Sequence, residues 1–170
     1  NVDETTGRFV IRSKVSDSSQ DWTLRARGRI VNGKVTAKKR LVPADHLNHE
    51  TLFAVNNEQL YKKFDALGLV YGPEFRRIEK AELRGSDVVT ATIDGRVENN
   101  RHRAHPAVVD CAFQCMAVWG ALGSINVDGP VVPAAVGSVR QFALIPDQVK
   151  VEVTRCTPHK GETELVADIL

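Results

Sequence analysis

The sequence predicts an α+β domain in which one long helix is wrapped by a curved antiparallel sheet. Short segments that alternate apolar and polar residues, as half-buried strands do, lie before and after the helical segments. Residues 106–122 are apolar on almost every face, which is typical of a buried helix. From residue 57 on, the predicted order is helix, strands, buried helix and strands. A sheet curved around one central helix accounts for that order.

The first forty residues are predicted to form strands. The segments FVIRSKV and DWTLRARGRIV alternate apolar and polar residues on either side of a polar turn. Asn32 and Gly33 follow the second segment, and this pair is the strongest short hairpin signal because both residues tolerate positive φ. We therefore expect a hairpin that leads into a third strand, KVTAKKRLV.

An amphipathic helix is predicted to begin at residue 57, after a linker in residues 43–56 that shows no clear period. The apolar positions of the helix recur at spacings of four and three: Leu60, Phe64 and Leu67. Asn56 or Asn57 is expected to cap the start of the helix. Gly68 lies where the helix would end in the left-handed conformation.

A rigid bend is predicted at residues 71–73, where the sequence is Tyr-Gly-Pro. Two strands follow in residues 76–85 and 87–94, and then a polar loop. Pro106 suits the first turn of the buried helix, where its missing N–H costs nothing. That helix is predicted to reach Leu122 and to end at Gly123. Three further strands are predicted, in residues 131–144, 147–156 and 163–170.

Composition narrows the function classes. The 170 residues suit one domain or two very small ones, and the formal net charge is +2 with the basic residues scattered along the chain. We therefore expect no nucleic-acid partner. We also expect no membrane partner, since no apolar run approaches the ~20 residues of a spanning helix. The three cysteines show no framework spacing, which favours reduced thiols and a cytoplasmic location. The chain starts without Met and stops inside a predicted strand, so we expect it to be part of a longer polypeptide.

The candidate site lies on the buried helix. Asp110 and Gln114 are its only strongly polar residues between positions 107 and 119, and their spacing of four places them on one face. Burial raises the pKa of a carboxyl, and a carboxyl that is partly protonated near neutral pH can act as a general acid. Gln114 would then orient the carboxyl. The alternative is a structural role, in which both side chains merely satisfy nearby backbone groups.

Three motifs in order resemble the dehydratase domain of type I polyketide synthases. They are YGPEF at 71–75, HPAVVDCAFQ at 105–114 and VVPAAVGSVR at 131–140. They are similar to the family's YGP, HPxxxDxxxQ and (L/V)Pxx motifs, in the family's order and at about its spacings. The preceding helix and the early stretch DWTLRARGRIV also resemble the family, so the likeness covers most of the chain from residue 8.

The resemblance implies a double hotdog fold, in which two units of a long helix wrapped by an antiparallel sheet are fused. Residues 1–42 would be the end of the first hotdog, 43–56 a linker and 57–170 the second hotdog. The implied reaction is loss of water from a β-hydroxyacyl thioester, which gives the α,β-unsaturated thioester. The substrate would be carried on the phosphopantetheine arm of an acyl carrier protein, with no other cofactor bound and no metal. The parent synthase is expected to be a homodimer.

The resemblance also implies roles for individual residues. Asp110 matches the aspartate that protonates the leaving hydroxyl, and Gln114 matches the residue that positions this aspartate. Tyr71 matches the aromatic residue beside the hydroxyl. The remaining matches are assigned to the substrate region: Gly72 and Pro73 in the bend, His105 and Pro106 at the helix start, and Pro133 in the loop that lines the acyl tunnel.

One family feature is missing. The family's base is a histidine in an HxxxGxxxxP motif, and none of the five histidines here is followed by Gly four residues later. We therefore expect the base upstream of residue 1, in the missing part of the first hotdog. The 170 residues alone would then have an acid and no base, and we expect them to be inactive by themselves.

Other functions have weaker support. A non-catalytic docking or dimer region of a synthase is one alternative, but a decayed site would not need to keep Asp110 and Gln114. A product-template cyclisation domain is another, although in that family the position four after the aspartate is typically Asn. A thioesterase hotdog lacks this combination of motifs. Cys111 and Cys115 have the spacing of a metal pair, yet no second pair accompanies them, and buried cysteines are commonly small apolar residues.

Overall fold

The structure is a computed structural model that forms two compact units, residues 1–38 and 39–170. It describes only part of each unit, and the predicted hairpin at Asn32 and the linker from 43 to 49 lie outside the described part. The described residues are 2–14, 21–31, 50–97, 102, 104–122, 130, 132–137, 139, 143–156 and 166–169.

The first unit contains a two-stranded antiparallel ribbon, as the alternating pattern predicted. Strand β1 (Arg8–Ser13) pairs with strand β2 (Thr23–Arg29), with Arg8 opposite Arg29. The register shifts between Ile11 and Arg12, which marks a β-bulge.

The second unit contains a five-stranded antiparallel sheet whose strands lie in chain order. Four of the predicted strands, those in residues 76–85, 87–94, 147–156 and 163–170, are found in it at somewhat different bounds. The strands are β3 (Thr51–Asn56), β4 (Ile78–Arg84), β5 (Val88–Asp94), β6 (Gln148–Cys156) and β7 (Val166–Ile169).

Strand β3 corrects the sequence prediction, which assigned this stretch to a linker. Among the described strands it lies at the edge of the sheet and pairs with β4 alone. Its side chains are exposed or nearly so, with Leu52 and Phe53 each about half exposed. Because no face of the strand is buried, the sequence has no alternation from which to recognise it.

Helix α1 (Asn57–Ala66) follows the predicted pattern. Asn56 is its N-cap and forms a capping box with Gln59, in which each side chain accepts from the other residue's backbone N–H. Gly68 adopts φ +81° directly after the C-cap residue, as predicted. Leu60 and Phe64 are completely buried in the core beneath the sheet.

The predicted central helix is found over residues 106–121, but it is not one continuous α-helix. Helix α2 (Pro106–Gln114) passes into a 3-10 turn (Cys115–Ala117) and then into helix α3 (Val118–Ala121). One side of this segment is completely buried, including Cys111, Cys115 and Trp119. The opposite side is not, because Asp110 and several apolar residues beside it are only half-buried. The segment is therefore amphipathic in its burial although its sequence is apolar almost all round.

The predicted strand at 131–144 is not found among the residues described there. Residues 132–137, 139, 143 and 144 form no regular element. Pro133 lies in this stretch and Pro130 directly precedes it; neither can donate to a strand ladder, which disfavours pairing. No helix in the described part of the chain is long and apolar enough to cross a membrane.

Candidate active site

Asp110 and Gln114 form a hydrogen-bonded pair on α2. Gln114 Nε2 donates to Asp110 Oδ2 at 2.8 Å, because helix positions four apart are neighbours on one face. Gln114 is buried, with 3% of its surface exposed, whereas Asp110 is half-buried and thus more open than the sequence predicted. Among the described residues, none donates to the other oxygen of Asp110.

The Gln114 amide is held in one orientation by the backbone of the bend and by a second helix. Its Nε2 also donates to the Phe75 carbonyl oxygen at 3.0 Å, while its Oε1 accepts from the Tyr61 hydroxyl at 2.9 Å. A flipped amide would direct Oε1 at a carboxylate and a carbonyl, which are both acceptors. The amide therefore has a donor side that faces Asp110 and Phe75 and an acceptor side that faces Tyr61.

The Tyr-Gly-Pro bend delivers the Phe75 carbonyl to this site. Pro73 occupies the first position of a short 3-10 turn (Pro73–Phe75), and Gly72 precedes it with φ −71°. Within the turn, the Phe75 N–H donates to the Gly72 carbonyl at 2.9 Å. Arg76 Nε donates to the Tyr71 carbonyl at 2.8 Å and fixes the other end of the bend. The bend thus contributes a backbone atom, the Phe75 carbonyl oxygen, as well as the aromatic side chain of Tyr71.

Tyr71 lies in the same region as Asp110. Its half-buried ring packs edge-on against Tyr61 and Phe64, with ring centroids 6.0 and 5.8 Å away. Burial raises the pKa of Tyr71 to about 12, and the negative charge of Asp110 adds to this shift. The Tyr71 hydroxyl therefore keeps its proton at neutral pH and can donate a hydrogen bond next to the carboxyl.

The two buried cysteines behave as small apolar residues. Cys111 Sγ donates to the Phe75 carbonyl at 3.3 Å, and Cys115 Sγ donates to the Cys111 carbonyl at 3.2 Å. Burial raises the pKa of both thiols, which disfavours the thiolate form that metals and redox chemistry use. In the described part of the chain, no group of three or more acidic, cysteine or histidine residues is placed to hold a metal.

His105 and Pro106 lie at the start of α2, one turn before Asp110. His105 is the N-cap, and its Nδ1 accepts from the Ala107 N–H at 3.3 Å. Pro106 occupies the first helical position, as predicted. Pro133 is exposed in a segment without regular structure, and its place in an acyl tunnel stays a prediction.

Two contributors to the site were missed in the sequence, namely Tyr61 and the Phe75 carbonyl. Tyr61 adjoins the apolar stripe of α1 and is 1% exposed. A buried tyrosine needs a partner for its hydroxyl, and this need was the available signal. A backbone carbonyl leaves no trace in the residue types.

What the arrangement can do chemically follows from these contacts. It presents a carboxyl with one oxygen bound by a fixed amide, and no described residue donates to the other oxygen. Such a carboxyl can transfer a proton to a hydroxyl placed beside it, with a neutral phenol nearby to orient that hydroxyl. Among the described residues, the hydrogen-bond partners of Asp110 and Gln114 include no imidazole and no second carboxylate that could act as the base.

The sequence is similar to polyketide synthases. Residues 42–169 match the family described as "Polyketide synthase dehydratase N-terminal domain". The polyketide synthase component of compactin nonaketide synthase from Penicillium citrinum is 28% identical over 174 residues, which covers 98% of this chain and 5% of that protein. The highly reducing polyketide synthase acrA from Aspergillus aculeatus is 29% identical and covers 87% of this chain and 6% of that protein. The chain thus spans a small part of these relatives.

The fold is similar to solved dehydratase domains. The dehydratase domain of RzxB from Pseudomonas fluorescens aligns with a TM-score of 0.70 at 22% identity, over 95% of this chain and 56% of that one. The dehydratase domain from the CurK module of curacin polyketide synthase aligns with a TM-score of 0.68 at 22% identity, over 95% and 60%. These likenesses confirm the predicted α+β hotdog fold, and this chain spans little more than half of either structure.

Proposed function

The chain belongs to the polyketide synthase dehydratase family, and from this premise we propose that it supplies the acid half of a dehydratase active site. The reaction is the removal of water from a β-hydroxyacyl thioester. The substrate is carried on the phosphopantetheine arm of an acyl carrier protein, which is the partner of the site. No other cofactor is required.

The observation that carries the proposal is the fixed contact between Gln114 and Asp110. Burying a glutamine amide is costly unless its oxygen and its nitrogen both form hydrogen bonds. Gln114 is 3% exposed, and both ends of its amide are hydrogen-bonded. Gln114 Nε2 donates to the Phe75 carbonyl and also to the half-buried carboxyl of Asp110. This arrangement holds Asp110 Oδ2 and leaves its other oxygen for a substrate hydroxyl, which supports an acid role over a merely structural one.

In the proposed step, the Asp110 carboxyl gives its proton to the β-hydroxyl as the carbon–oxygen bond breaks, and water leaves. A base removes a proton from the α-carbon, and the electron pair of that C–H bond forms the double bond. The Asp110 carboxylate is then reprotonated from solvent. Tyr71, protonated at neutral pH because its pKa is raised to about 12, donates a hydrogen bond to the hydroxyl oxygen.

The base is proposed to come from outside these 170 residues. Residues 1–42 would end a first hotdog that contains the base histidine, and the second hotdog would begin with β3 (Thr51–Asn56) instead of at residue 57. This division rests on the order of the motifs. The parent synthase is proposed to be a homodimer.

The test uses the complete dehydratase domain that carries this chain and a β-hydroxyacyl pantetheine thioester. Asp110→Asn is expected to lower kcat by at least about a hundredfold, since a general acid contributes roughly 10²–10⁴-fold. Asp87→Asn is the matched control, because Asp87 forms a half-exposed ion pair with Arg155 away from the site. Equal turnover by Asp110→Asn and the control would refute the role of Asp110. Turnover by the isolated 170 residues would refute the external base.

A further inference from the structure

We propose that Tyr61 is a positioning residue of this site and acts on Asp110 through the Gln114 amide. The inference rests on the proposed dehydratase function and adds to it a residue on a different helix. Tyr61 lies on α1, whereas Asp110 and Gln114 lie on α2. Its hydroxyl is the donor to Gln114 Oε1 at 2.9 Å.

The single proton of the Tyr61 hydroxyl is directed at Gln114. The Ile78 N–H donates to the hydroxyl oxygen at 3.3 Å, so the backbone of β4 occupies one lone pair. Two oxygen acceptors compete for the proton, Gln114 Oε1 at 2.9 Å and the Phe75 carbonyl at 3.1 Å, while the Cys111 sulfur lies farther away at 4.0 Å. The Phe75 carbonyl already receives Gln114 Nε2 and the Cys111 thiol. Gln114 Oε1 has no other donor among the described residues, and it is the nearer acceptor.

Packing around the Tyr61 ring holds its hydroxyl next to Gln114. The ring is 1% exposed and packs edge-on against Phe64 at 5.7 Å and Tyr71 at 6.0 Å. The Arg76 guanidinium lies over the ring, 5.5 Å from its centroid. Burial also raises the pKa of Tyr61, so the hydroxyl remains a donor at every pH at which the enzyme would work.

A continuous chain of hydrogen bonds therefore runs from the backbone of β4 to the acid. It passes from the Ile78 N–H to Tyr61, from Tyr61 to the Gln114 carbonyl, and from the Gln114 N–H to Asp110. Bonds in such a chain polarise one another in a low-dielectric interior. Without the Tyr61 hydroxyl, Gln114 Oε1 would lack its partner, and the amide would lose the contact that selects its orientation.

The test is a double-mutant cycle in the complete dehydratase domain, with the variants Tyr61→Phe, Gln114→Leu and the double variant. Tyr61→Phe keeps the ring and its packing, and we expect it to lower kcat about tenfold with KM unchanged, the effect of about one lost hydrogen bond. In the Gln114→Leu background the same change is expected to lower kcat less than twofold. Val153→Ala, a completely buried position on β6, is the control for a general loss of stability.

Two results would overturn the inference: kcat of Tyr61→Phe within twofold of the wild type, or losses that multiply in the double variant. Asp110→Asn is measured in the same assay. If it turns over substrate as fast as the wild type, the proposed function is refuted and the cycle says nothing about Tyr61. In that case proton exchange of the Gln114 side-chain amide, followed by NMR, still decides the positioning role. We expect Tyr61→Phe to speed this exchange about tenfold, and an unchanged rate would exclude the role.

If Tyr61→Phe does not fold, 3-fluorotyrosine at position 61 takes its place, because it keeps the ring and the hydroxyl while it changes donor strength. We then expect kcat to change in the wild-type background and not in Gln114→Leu. An equal change in both backgrounds would overturn the inference.

Discussion

Replacing Gln114 with a carboxyl of the same shape tests the site most directly. In the wild type, Nε2 donates to Asp110 Oδ2 at 2.8 Å and to the Phe75 carbonyl at 3.0 Å. In Gln114→Glu, a charged carboxylate would face both acceptors with no proton to offer, at a position that is 3% exposed. The introduced carboxyl must therefore bind a proton in the folded protein, because burial and the neighbouring acceptors disfavour its charge.

The size of the effect follows from the cost of that proton. An unfolded glutamate has a pKa of about 4.3, and holding its proton in the folded state costs about 1.36 kcal/mol for each pH unit above this value. The cost is about 1 kcal/mol at pH 5 and reaches about 5 kcal/mol at pH 8 if the carboxyl stays protonated. The folded pKa is raised, so stability is retained at low pH and lost as pH rises. One of the two acceptors loses its donor at any pH, which adds about 1 kcal/mol.

The assay is urea unfolding at pH 5 and pH 8. The free energy of unfolding of Gln114→Glu, relative to wild type, is expected to fall by up to about 4 kcal/mol between these values. Gln59→Glu is the matched control, because Gln59 is exposed in the first turn of α1, where a carboxylate is favourable. Gln114→Leu adds no titrating group and should show a penalty independent of pH. The same penalty for Gln114→Glu at both pH values would refute the deduced orientation of the amide.

Two further predictions concern Tyr71 and Gly68. Since burial raises the pKa of Tyr71 to about 12, the unfolded chain releases this proton near pH 10 while the folded chain keeps it, so stability falls as pH rises from 10 to 12. In urea unfolding at pH 9 and pH 11, Tyr71→Phe should lose less stability than wild type, although Tyr61 still contributes, and an identical loss would contradict the assignment. Gly68→Ala should cost about 1 kcal/mol at pH 7, because φ is +81° and an added Cβ meets nothing within 4 Å. Gly72→Ala, with φ −71° and equally open space, is its control, and equal costs would remove backbone strain as the cause.

Features that depend on neighbouring residues were predictable from the sequence. A helix cap was predicted at Asn56 or Asn57 and is observed at Asn56. The left-handed Gly68 and the start of α2 at Pro106 were predicted and are observed. The contact between Asp110 and Gln114 also depends only on a spacing of four within one helix. The catalytic roles assigned to these two residues stay predictions.

Features that depend on distant partners were not predictable in the same way. Strand β3 exists because β4 lies beside it, and its exposed side chains left no period to read. The apolar pattern of 131–144 predicted a strand, yet the residues described there form none. Tyr61 meets Gln114 across 53 positions of sequence, and only its burial hinted that its hydroxyl needed a partner. The 3-10 turn after Gln114 carries no signal in the sequence that we recognise.

Gln114 and Cys111 both donate to the main-chain oxygen of Phe75, which also lies 3.1 Å from the Tyr61 hydroxyl. Every amino acid carries this atom, so substitution at position 75 cannot delete it, whereas an insertion or deletion in the bend would displace it. We therefore expect the bend to tolerate a change of side chain at position 75 but not an insertion or a deletion. For chimeric synthases built by exchanging segments, a crossover between positions 76 and 105 would take the acceptor from one parent and its donors, Cys111 and Gln114, from the other. Crossovers outside the stretch from 57 to 122 keep the acceptor, both donors and Tyr61 from one parent.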